Sequence, residues 1–346
     1  MGYISIWSGG VFRALAGALW KRQTLLPENG ESAEGDFPVF VLLAPGDILV
    51  FWMTFAFYFS MLSHVNEFSP PAIPDFSKTR LEMNLERRLP ASGSSDQSYL
   101  LVMTATIVPA ANSRVKRADP RVRLEDYKRA LRYWLRYQHP AAERILLLEN
   151  SGADLGELQA IAADENPLGK AVEILSVPGN NIPEGRNYGY TEMQMLDEGL
   201  ELSRLRQATT HMIKATGRLT FPALGKALDR ASKPFDVMVD CRKLGFPLHG
   251  FDTNAQLLIF AHSFYDRVLR GSRNEMNTTD VRLLEHLIFR KVIPFKGQPG
   301  IHLRFPCNVD PVGYSALRDK DNHSLDKAIP RRIRALLRVV APGYWY

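Results

Sequence analysis

Residues 99–109 read YLLVMTATIVP, a continuous apolar run with β-branched residues and no charged side chain. A strand inside a parallel sheet is covered by helices on both faces, so its side chains are apolar throughout and do not alternate with polar ones. The run therefore predicts a central strand of a parallel sheet.

Similar short runs follow this one along the chain, and helical patterns separate them. The helix after the first run places apolar residues, among them Leu131 and Trp134, at helical spacing over 124–138. The further predicted strands are RILLLENSG at 144–152, VEILSVPG at 172–179, HMIKATGR at 211–218 and FDVMVDCR at 235–242. Strands that alternate with helices predict an α/β fold, a Rossmann-like, doubly wound and mostly parallel sheet.

Beyond residue 242 the pattern favours helices. NAQLLIFAHSFYDRVL at 254–269 and the segment 278–291 are both predicted to be helical. Residues 329–340 place apolar side chains on one face and arginines on the other, so a basic amphipathic helix is expected there. Such a helix can lie on an anionic membrane surface, or it can dock on the domain with its arginines solvated.

The N-terminal part contains a candidate membrane anchor. Residues 48–66 contain no Asp, Glu, Lys or Arg, and the run is almost long enough to cross a hydrocarbon core of about 30 Å. The alternative is a buried core helix. The charged residues between Pro27 and Asp47 are all acidic, whereas the basic residues Lys78, Arg80, Arg87 and Arg88 follow the run. This asymmetry places the C-terminal part on the cytoplasmic side. We therefore expect an N-terminal region at 1–98, a domain at 99–300 and an extension at 301–346.

Composition excludes several classes of protein. Two cysteines, Cys241 and Cys307, cannot form a disulfide framework, and no zinc-binding spacing is present. The net charge of +6 suits an anionic partner, but the basic residues are dispersed and no nucleic-acid-binding motif appears, so nucleic acid is not predicted as a partner. G-x-G-x-x-G, P-loop, G-x-S-x-G and H-E-x-x-H motifs are absent as well.

The loop before the predicted helix at 191 suggests a phosphate site. Residues 179–190 are rich in Gly, Asn and Pro, and Thr191 with Gln194 matches a capping box, so the helix should start at about Thr191. Its N-terminus and Arg186 together could cradle a phosphate. Lys214 and Arg218 flank the end of a predicted strand, where open α/β sheets bind ligands. An ordinary connection with a solvated basic turn is the alternative.

Four of these segments, ILLLENSG, NNIPEGRNYGYTEMQMLDEGLELS, HMIKATGR and FDVMVDC, together resemble a group of bacterial glycosyltransferase-like proteins encoded with lipopolysaccharide and capsule biosynthesis. The resemblance covers roughly residues 99–292, although Leu219 stands where the group tends to have an aromatic residue. It implies a GT-A-like fold, a nucleotide-sugar donor, a glycan or lipid-linked glycan acceptor, and a location at the cytoplasmic face of the bacterial inner membrane. The donor-binding residues that it implies are Glu149, Asn150, Ser151, Tyr188, Gly189, Glu192, Lys214, Thr216, Gly217 and Arg218.

The sequence departs from the metal-dependent transferases of this kind, which place Asp-x-Asp at a strand end. Lys214 and Arg218 occupy that position, and fixed cations could stabilise a leaving diphosphate. We therefore predict no obligatory metal and no other cofactor. A base is needed to take the proton of an acceptor hydroxyl. Glu285 is the first candidate, followed by Asp252 and Asp240, and a surface pair of Glu285 with His286 is the alternative.

These observations favour a glycosyltransferase that acts on a cell-surface polysaccharide or its lipid-linked precursor. A non-catalytic, membrane-anchored assembly protein that retains the fold is the main alternative. A nucleic-acid binder is a third possibility, which would require a contiguous basic stripe with exposed aromatic residues. An intact pair of Lys214 and Arg218 and a cleft that holds Glu285 would favour the enzyme, whereas a filled or collapsed cleft would favour the assembly protein.

The anchor hypothesis predicts how the protein fractionates. Because residues 48–66 are uncharged and their flanks differ in charge, the full-length chain should sediment with membranes, and residues 96–346 should be more soluble. Membrane fractionation of both chains measures this. A soluble full-length chain with Trp52 and Phe55 packed in the same core as Leu146 would contradict the hypothesis.

Overall fold

A computed structural model of the chain describes residues 97–113, 115–177, 179–244, 250–277, 283–317 and 319–321. The candidate anchor at 48–66 and the predicted C-terminal helix at 329–340 lie outside these ranges. None of the helices within them is both long enough and apolar enough to cross a membrane.

Strands and helices alternate along most of the described chain. The strands are β1 (Tyr99–Ala105), β2 (Arg144–Glu149), β3 (Ala171–Ser176), β4 (His211–Thr216), β5 (Val237–Met238), β6 (Cys241–Leu244), β7 (Gly250–Thr253), β8 (Leu257–Ala261), β9 (Ile301–His302), β10 (Tyr314–Ser315) and β11 (Lys320–Asp321). The helices are α1 (Pro120–Arg136), α2 (Gly156–Asp164), α3 (Tyr188–Leu202), α4 (Leu224–Arg230) and α5 (Leu284–Val292). Short 3-10 turns lie at Pro140–Ala142, Leu205–Ala208, Ser272–Glu275 and Ile293–Phe295.

Seven strands form the central sheet, in the order β3-β2-β1-β4-β8-β5-β9. The first four strands are parallel, and Val102 of β1 is in register with Leu146 of β2 and Lys214 of β4. Strand β8 runs antiparallel to both of its neighbours, and β9 is parallel to β5. The sheet is therefore mostly parallel, and the predicted Rossmann-like α/β architecture is confirmed at this level.

Both faces of the sheet are covered, as the apolar run of β1 predicts. Leu101 and Met103 pack on one face with α1, α2 and α4, while Leu100 and Val102 pack on the other with α3 and α5. The connections from β1 to β3 thus place their helices on one face, and the connection from β3 back to β4 places α3 on the opposite face. This is the doubly wound arrangement that the alternation of strands and helices predicts.

The region after β4 differs from its prediction. The helix expected over 254–269 is wrong, because Leu257–Ala261 is the fully buried strand β8, followed by a helical turn at His262–Phe264 and a π-helix at Tyr265–Leu269. A short apolar run has no periodicity that separates a buried strand from a buried helix.

One further prediction after β4 also changes. The strand expected at 235–242 is divided between β5 and β6, and β6 pairs with β7 in a separate hairpin. The described part of the C-terminal extension contains the short strands β9, β10 and β11, and the helix predicted at 329–340 is not tested by it.

Helix α3 begins three residues before its predicted start. Asn187 caps it, and its Oδ1 accepts a hydrogen bond of 2.8 Å from the backbone N–H of Gly189. The capping box at Thr191 is wrong, since the Gln194 side chain donates to Glu198. An Asn side chain satisfies the same free N–H groups that the predicted Thr would have satisfied.

The contact between the ends of β1 and β4 yields a stability prediction. The N–H of Gly217 donates to the Thr104 carbonyl, and a Cβ at Gly217 would lie 2.6 Å from that oxygen. Gly217→Ala should therefore lower the free energy of unfolding by about 1–3 kcal/mol through overpacking. In the control Gly156→Ala, the nearest atom to the new Cβ is a side-chain oxygen of Asp154 at 3.3 Å, so little change is expected. Urea unfolding measures both, and equal effects would contradict the prediction.

Candidate functional site

A cleft of about 170 Å³ opens where β1, β2 and β4 end and β8 begins. Because the carboxyl ends of parallel strands meet at one edge of the sheet, their last side chains converge there. The cleft side chains come from these strand ends, from α1, α3 and α5, and from the segment 315–317; they include Thr104, Thr106, Arg123, Tyr127, Asn150, Asn180, Tyr188, Thr191, Glu192, Thr216, Arg218, Gln256, Glu285 and Leu317.

One side of the cleft is acidic. Glu192 of α3 accepts hydrogen bonds from the Thr104 hydroxyl at 2.9 Å and from the Lys214 ammonium at 2.6 Å. Glu285 of α5 lies near this carboxylate. Burial raises the pKa of Glu285, the negative charge of Glu192 raises it further, and Lys214 opposes the change. A carboxyl with a raised pKa is a stronger base than an ordinary one and holds its proton to higher pH.

Tyr188, in the first turn of α3, also lines the cleft. Burial raises the pKa of its phenol, and the charges of Glu285 and Glu192 act in the same direction. The positive charge of Arg218 opposes them. Tyr188 is therefore a neutral hydrogen-bonding group, within electrostatic range of both the carboxylates and the arginine.

The other side of the cleft is cationic. Arg123 of α1 is 4% exposed, and its guanidinium donates to the Thr106 carbonyl at 2.7 Å, the Arg117 carbonyl at 3.2 Å and the Tyr127 hydroxyl at 3.0 Å. Arg218 is half-buried and donates through Nε to the Tyr314 carbonyl at 3.1 Å. Burial lowers the pKa of Arg123, and the charge of Arg218 contributes to the same effect.

The described residues 312–317 and 319–321, which we call the strap, help to enclose the cleft. The Ala316 carbonyl accepts hydrogen bonds from the backbone N–H groups of Lys116 and Arg117, and Thr220 pairs with Val312. The Arg117 guanidinium lies 4.3 Å from the centre of the Tyr314 ring and forms an ion pair of 2.6 Å with Asp319. The strap thus links the loop after β1 to the loop after β4.

The structure brings six of the residues singled out from the sequence into the cleft. They are Asn150, Tyr188, Glu192, Thr216, Arg218 and Glu285. Asn150 is oriented by a 2.6 Å hydrogen bond between its Oδ1 and the Thr106 hydroxyl. The others come from α3, α5 and the end of β4, so residues far apart in the sequence share one cavity.

Glu149 and Ser151 have structural partners and do not line the cleft. The buried Glu149 carboxylate accepts hydrogen bonds from the N–H groups of Ile107, Ser151 and Gly152, and from the Ser151 hydroxyl. It thus holds the loops after β1 and β2 together. The expectation that its side chain faces a donor is corrected: the strand end is where the sequence predicts it, but the carboxylate satisfies backbone donors.

Lys214 differs most from the role predicted for it from the sequence. Its side chain is fully buried, pairs with Glu192 and donates to the Ala255 carbonyl at 2.6 Å. The expectation of a solvated cation that faces a ligand is therefore wrong. Lys214 shares the α3 face of β4 with Met212 and lies two residues before the strand end.

Three residues predicted at the loop and the turn also lie outside the lining of the cleft. The guanidinium of Arg186 lies 5.7 Å from the centre of the Tyr190 ring. A Cβ at Gly189 would lie 2.9 Å from the Cβ of Leu284, so this glycine allows α3 to approach α5 closely. Gly217 packs against the backbone of Thr104 in the same way.

The two alternative bases are not in the cleft either. Asp252 of β7 is buried and accepts a hydrogen bond of 2.9 Å from Arg242 of β6, so it stabilises the hairpin. Asp240 is half-buried between β5 and β6, and its carbonyl accepts from the N–H of Asn254. Of the three carboxylates considered as a base, Glu285 is the one that lines the cleft.

The sequence prediction missed Arg123. It precedes Tyr127 by four residues and Leu131 by eight, so it lies on the buried stripe of α1. The sequence signal for it is an arginine at helical spacing from an apolar stripe. Arginine is seldom fully buried unless it is paired, so an arginine at such a position indicates a specific role.

The residues at the end of β4 do not have the chemistry of a divalent cation site. Thr216 and Arg218 line the cleft there and no carboxylate belongs to that turn. Across the residues that the structure describes, no group of three or more His, Cys, Asp or Glu side chains could hold a metal ion.

Comparisons with known proteins give resemblances of fold at low identity. No protein-family model matches the chain, and no curated protein matches its sequence. Solved structures that it resembles include a mannosyltransferase from Pyrobaculum calidifontis in complex with GDP-Man and Mn²⁺, with 12% identity, coverage of 77% of this chain and 70% of that one, and a TM-score of 0.38. The glycosyltransferase GlyE of Streptococcus pneumoniae is 9% identical, with coverage of 59% of this chain and 44% of that one and a TM-score of 0.35. An inositol-1-phosphate CTP transferase from T. maritima is 14% identical, with coverage of 58% of this chain and 83% of that one and a TM-score of 0.34.

Glycosyltransferases and nucleotidyltransferases are thus among the structures that the chain resembles. All three TM-scores lie below 0.5. The assignment of the fold therefore rests on the sheet order, and what is proposed below rests on the cleft.

The buried pair under the cleft yields a second stability prediction. Lys214→Ala should lower the free energy of unfolding by about 3–5 kcal/mol, because it leaves the Glu192 carboxylate without its counter-ion and the Ala255 carbonyl without the Lys214 donor. Lys226→Ala, at an exposed lysine of α4, is the control and should change stability by less than about 0.5 kcal/mol. Urea unfolding measures both; similar values for the two variants would show that the pair is not important for folding.

Proposed function

We propose that the chain is a glycosyltransferase that transfers a sugar from a nucleotide-sugar donor to a glycan or lipid-linked glycan acceptor. The observation that carries this proposal is that one cleft holds two carboxylates and two arginines that are not paired with each other. Glu285 and Glu192 lie within electrostatic range of one another, as do Arg218 and Arg123, and among the described residues no ion pair joins the two groups. Such a cleft can bind the diphosphate of a donor at its cationic side and a hydroxyl group at its acidic side.

Glu285 is the proposed base. In a direct displacement, the acceptor hydroxyl oxygen attacks the anomeric carbon, its proton passes to a Glu285 carboxylate oxygen, and the bond from the anomeric carbon to the diphosphate oxygen breaks. The raised pKa of Glu285 suits it to take this proton. The charges of Glu285 and Arg218 both affect the pKa of Tyr188. Its hydroxyl can therefore form a hydrogen bond to a nucleotide-sugar donor bound between these two residues.

Arg218 is the proposed partner of the leaving diphosphate. Its Nε–H donates to the Tyr314 carbonyl of the strap, and its two terminal nitrogens can donate to a ligand. Fixed cations can stabilise the developing negative charge of a leaving group. Because the turn after β4 supplies arginine and threonine and no carboxylate, we propose that transfer requires no metal. Donor binding is then expected to persist in EDTA.

We further propose that the acceptor is presented at an anionic membrane surface, on the cytoplasmic side. The support for this comes from the sequence, namely the uncharged run at 48–66 and the basic pattern at 329–340. A non-catalytic assembly protein with the same fold is the alternative function. The open cleft with a carboxylate of raised pKa favours the enzyme.

Arg218→Ala tests the donor site. Loss of a charge-assisted contact to a diphosphate is worth about 1.5–3 kcal/mol, so nucleoside diphosphate affinity should fall roughly ten- to a hundredfold, while nucleoside affinity should hardly change. Arg230→Ala, at the exposed end of α4, is the matched control. Isothermal titration with a panel of nucleoside diphosphates, with and without EDTA, measures both. Normal diphosphate binding by Arg218→Ala would remove the support for this assignment.

Glu285→Gln tests the base. Transfer to the acceptor should fall about 10²- to 10⁴-fold while donor binding remains, since a proton acceptor is lost and the shape is kept. Glu201→Gln, at an exposed site of α3, is the control. An unchanged transfer rate in Glu285→Gln would exclude this residue as the base.

The same variant has a predicted pH dependence of stability. Because the folded-state pKa of Glu285 is raised, its contribution to stability is fully present below the unfolded carboxyl pKa of about 4.3 and is lost as pH rises through the folded value. Ionisation of this buried carboxyl therefore costs stability. Glu285→Gln should then melt at a higher temperature than the parent at pH 7, and this gain should vanish in acid.

A further inference from the structure

Arg123 is buried, yet within the described chain its guanidinium forms no ion pair. Its three hydrogen bonds go to two carbonyl oxygens and a hydroxyl, which are all neutral. Asp126, three residues further along the same helix, is paired with Arg117 at 2.5 Å and with Arg129 at 2.7 Å. A buried charge that is not paired with a counter-ion costs free energy of folding. A buried, unpaired arginine therefore indicates a site where a bound anion compensates the charge.

Arg218 lines the same side of the cleft and is half-buried. The Tyr314 carbonyl accepts its Nε–H, and among the described residues no carboxylate forms an ion pair with it. The two arginines line one cavity and are close enough for the charge of Arg218 to lower the pKa of Arg123. With no ligand present, the two side chains repel each other.

The neighbouring charges leave both arginines without a paired carboxylate. Arg117 and Arg129 are paired with Asp126, and Arg117 also with Asp319. Glu192, which lines the same cleft, is paired with Lys214. The positive charges of Arg123 and Arg218 can therefore be compensated by the negative charge of a diphosphate group.

We propose that Arg123 and Arg218 together form a two-arginine site for a diphosphate group. A guanidinium has five N–H donors. The three bonds of Arg123 leave two donors, and the single bond of Arg218 leaves four. Arg123 is fixed by its neighbours, whereas Arg218 is held by the strap alone. The identification of the diphosphate as part of a nucleotide sugar rests on the proposed function, but the anion site itself does not.

Arg123 could instead serve only to hold the loop after β1, since its partners include the Thr106 and Arg117 carbonyls. The two roles predict different binding results. If Arg123 only supports the loop, its replacement should weaken nucleoside and pyrophosphate binding alike. If it binds the diphosphate, pyrophosphate affinity should fall and nucleoside affinity should not.

The experiment uses the full chain and isothermal titration with inorganic pyrophosphate alone. Arg123→Lys and Arg218→Lys each keep the charge and lose the planar fork, so each should weaken pyrophosphate binding about tenfold. Arg136→Lys, at an exposed position of the same helix as Arg123, should bind pyrophosphate like the parent. The nucleoside of the tightest-binding nucleoside diphosphate should bind all four proteins equally.

A second measurement does not depend on any ligand. Removing one of two repelling charges should stabilise the empty protein, so Arg218→Gln should raise the melting temperature at low ionic strength. High salt should abolish the gain because it screens the repulsion. The same variant should lose the stabilisation that pyrophosphate gives the parent.

The outcomes separate this proposal from the proposed function. Absence of pyrophosphate binding to the parent, or binding that Arg123→Lys leaves unchanged, would overturn the two-arginine site, even if Arg218 alone still binds nucleoside diphosphates. Equal losses of nucleoside and pyrophosphate affinity in Arg123→Lys would overturn it as well. Pyrophosphate binding that depends on both arginines, in a protein that binds no nucleoside diphosphate, would support the site and refute the glycosyltransferase function.

Discussion

The buried ion pair between Lys214 and Glu192 fixes the floor of the cleft. It joins β4 to α3, while the Thr104 hydroxyl donates to the same carboxylate oxygen and the ammonium donates to the Ala255 carbonyl. Two charges removed from water are tolerated only when each has the other and further hydrogen bonds. The ends of β1 and β4, the start of α3 and the residue two positions before β8 are therefore held at one point, and the lysine has no freedom to leave it for a substrate.

This pair also determines which charges the cleft can use. Because Lys214 neutralises much of the effect of Glu192, the remaining acidic group is Glu285, whose pKa is raised mainly by burial. Arg218 is not paired with either carboxylate, since the strap holds it on the other side. Carboxylate and arginine thus stay separated within a single cavity. If they were paired, the carboxyl would be a weaker base and the arginine a weaker anion binder.

The sequence predicts the fold where burial leaves a simple pattern, and fails where it does not. Strands β1, β2 and β4 are mostly apolar because both of their faces are covered, whereas β3, at the edge of the sheet, is only half-buried. Strand β8 has a similar apolar composition but lies in a segment that also fits a helix. For the site, strand ends could be predicted and side-chain directions could not. Lys214 and Glu149 lie near strand ends, yet one turns under α3 and the other turns to backbone N–H groups. Those directions depend on partners far away in the sequence.

The contacts of the strap explain why no short sequence motif predicts the cationic side of the site. Tyr314 accepts the Nε–H of Arg218, and its ring contacts Arg117, whose carbonyl accepts from Arg123. The orientations of the two cleft arginines are therefore linked through a segment that lies about a hundred residues after one of them and about two hundred after the other. No spacing rule within one segment can encode such an arrangement. Arg123 contacts the loop after β1, and Arg218 lies in the loop after β4. A ligand bound by both arginines would therefore join these two loops. The strap already joins the same two loops through its own hydrogen bonds.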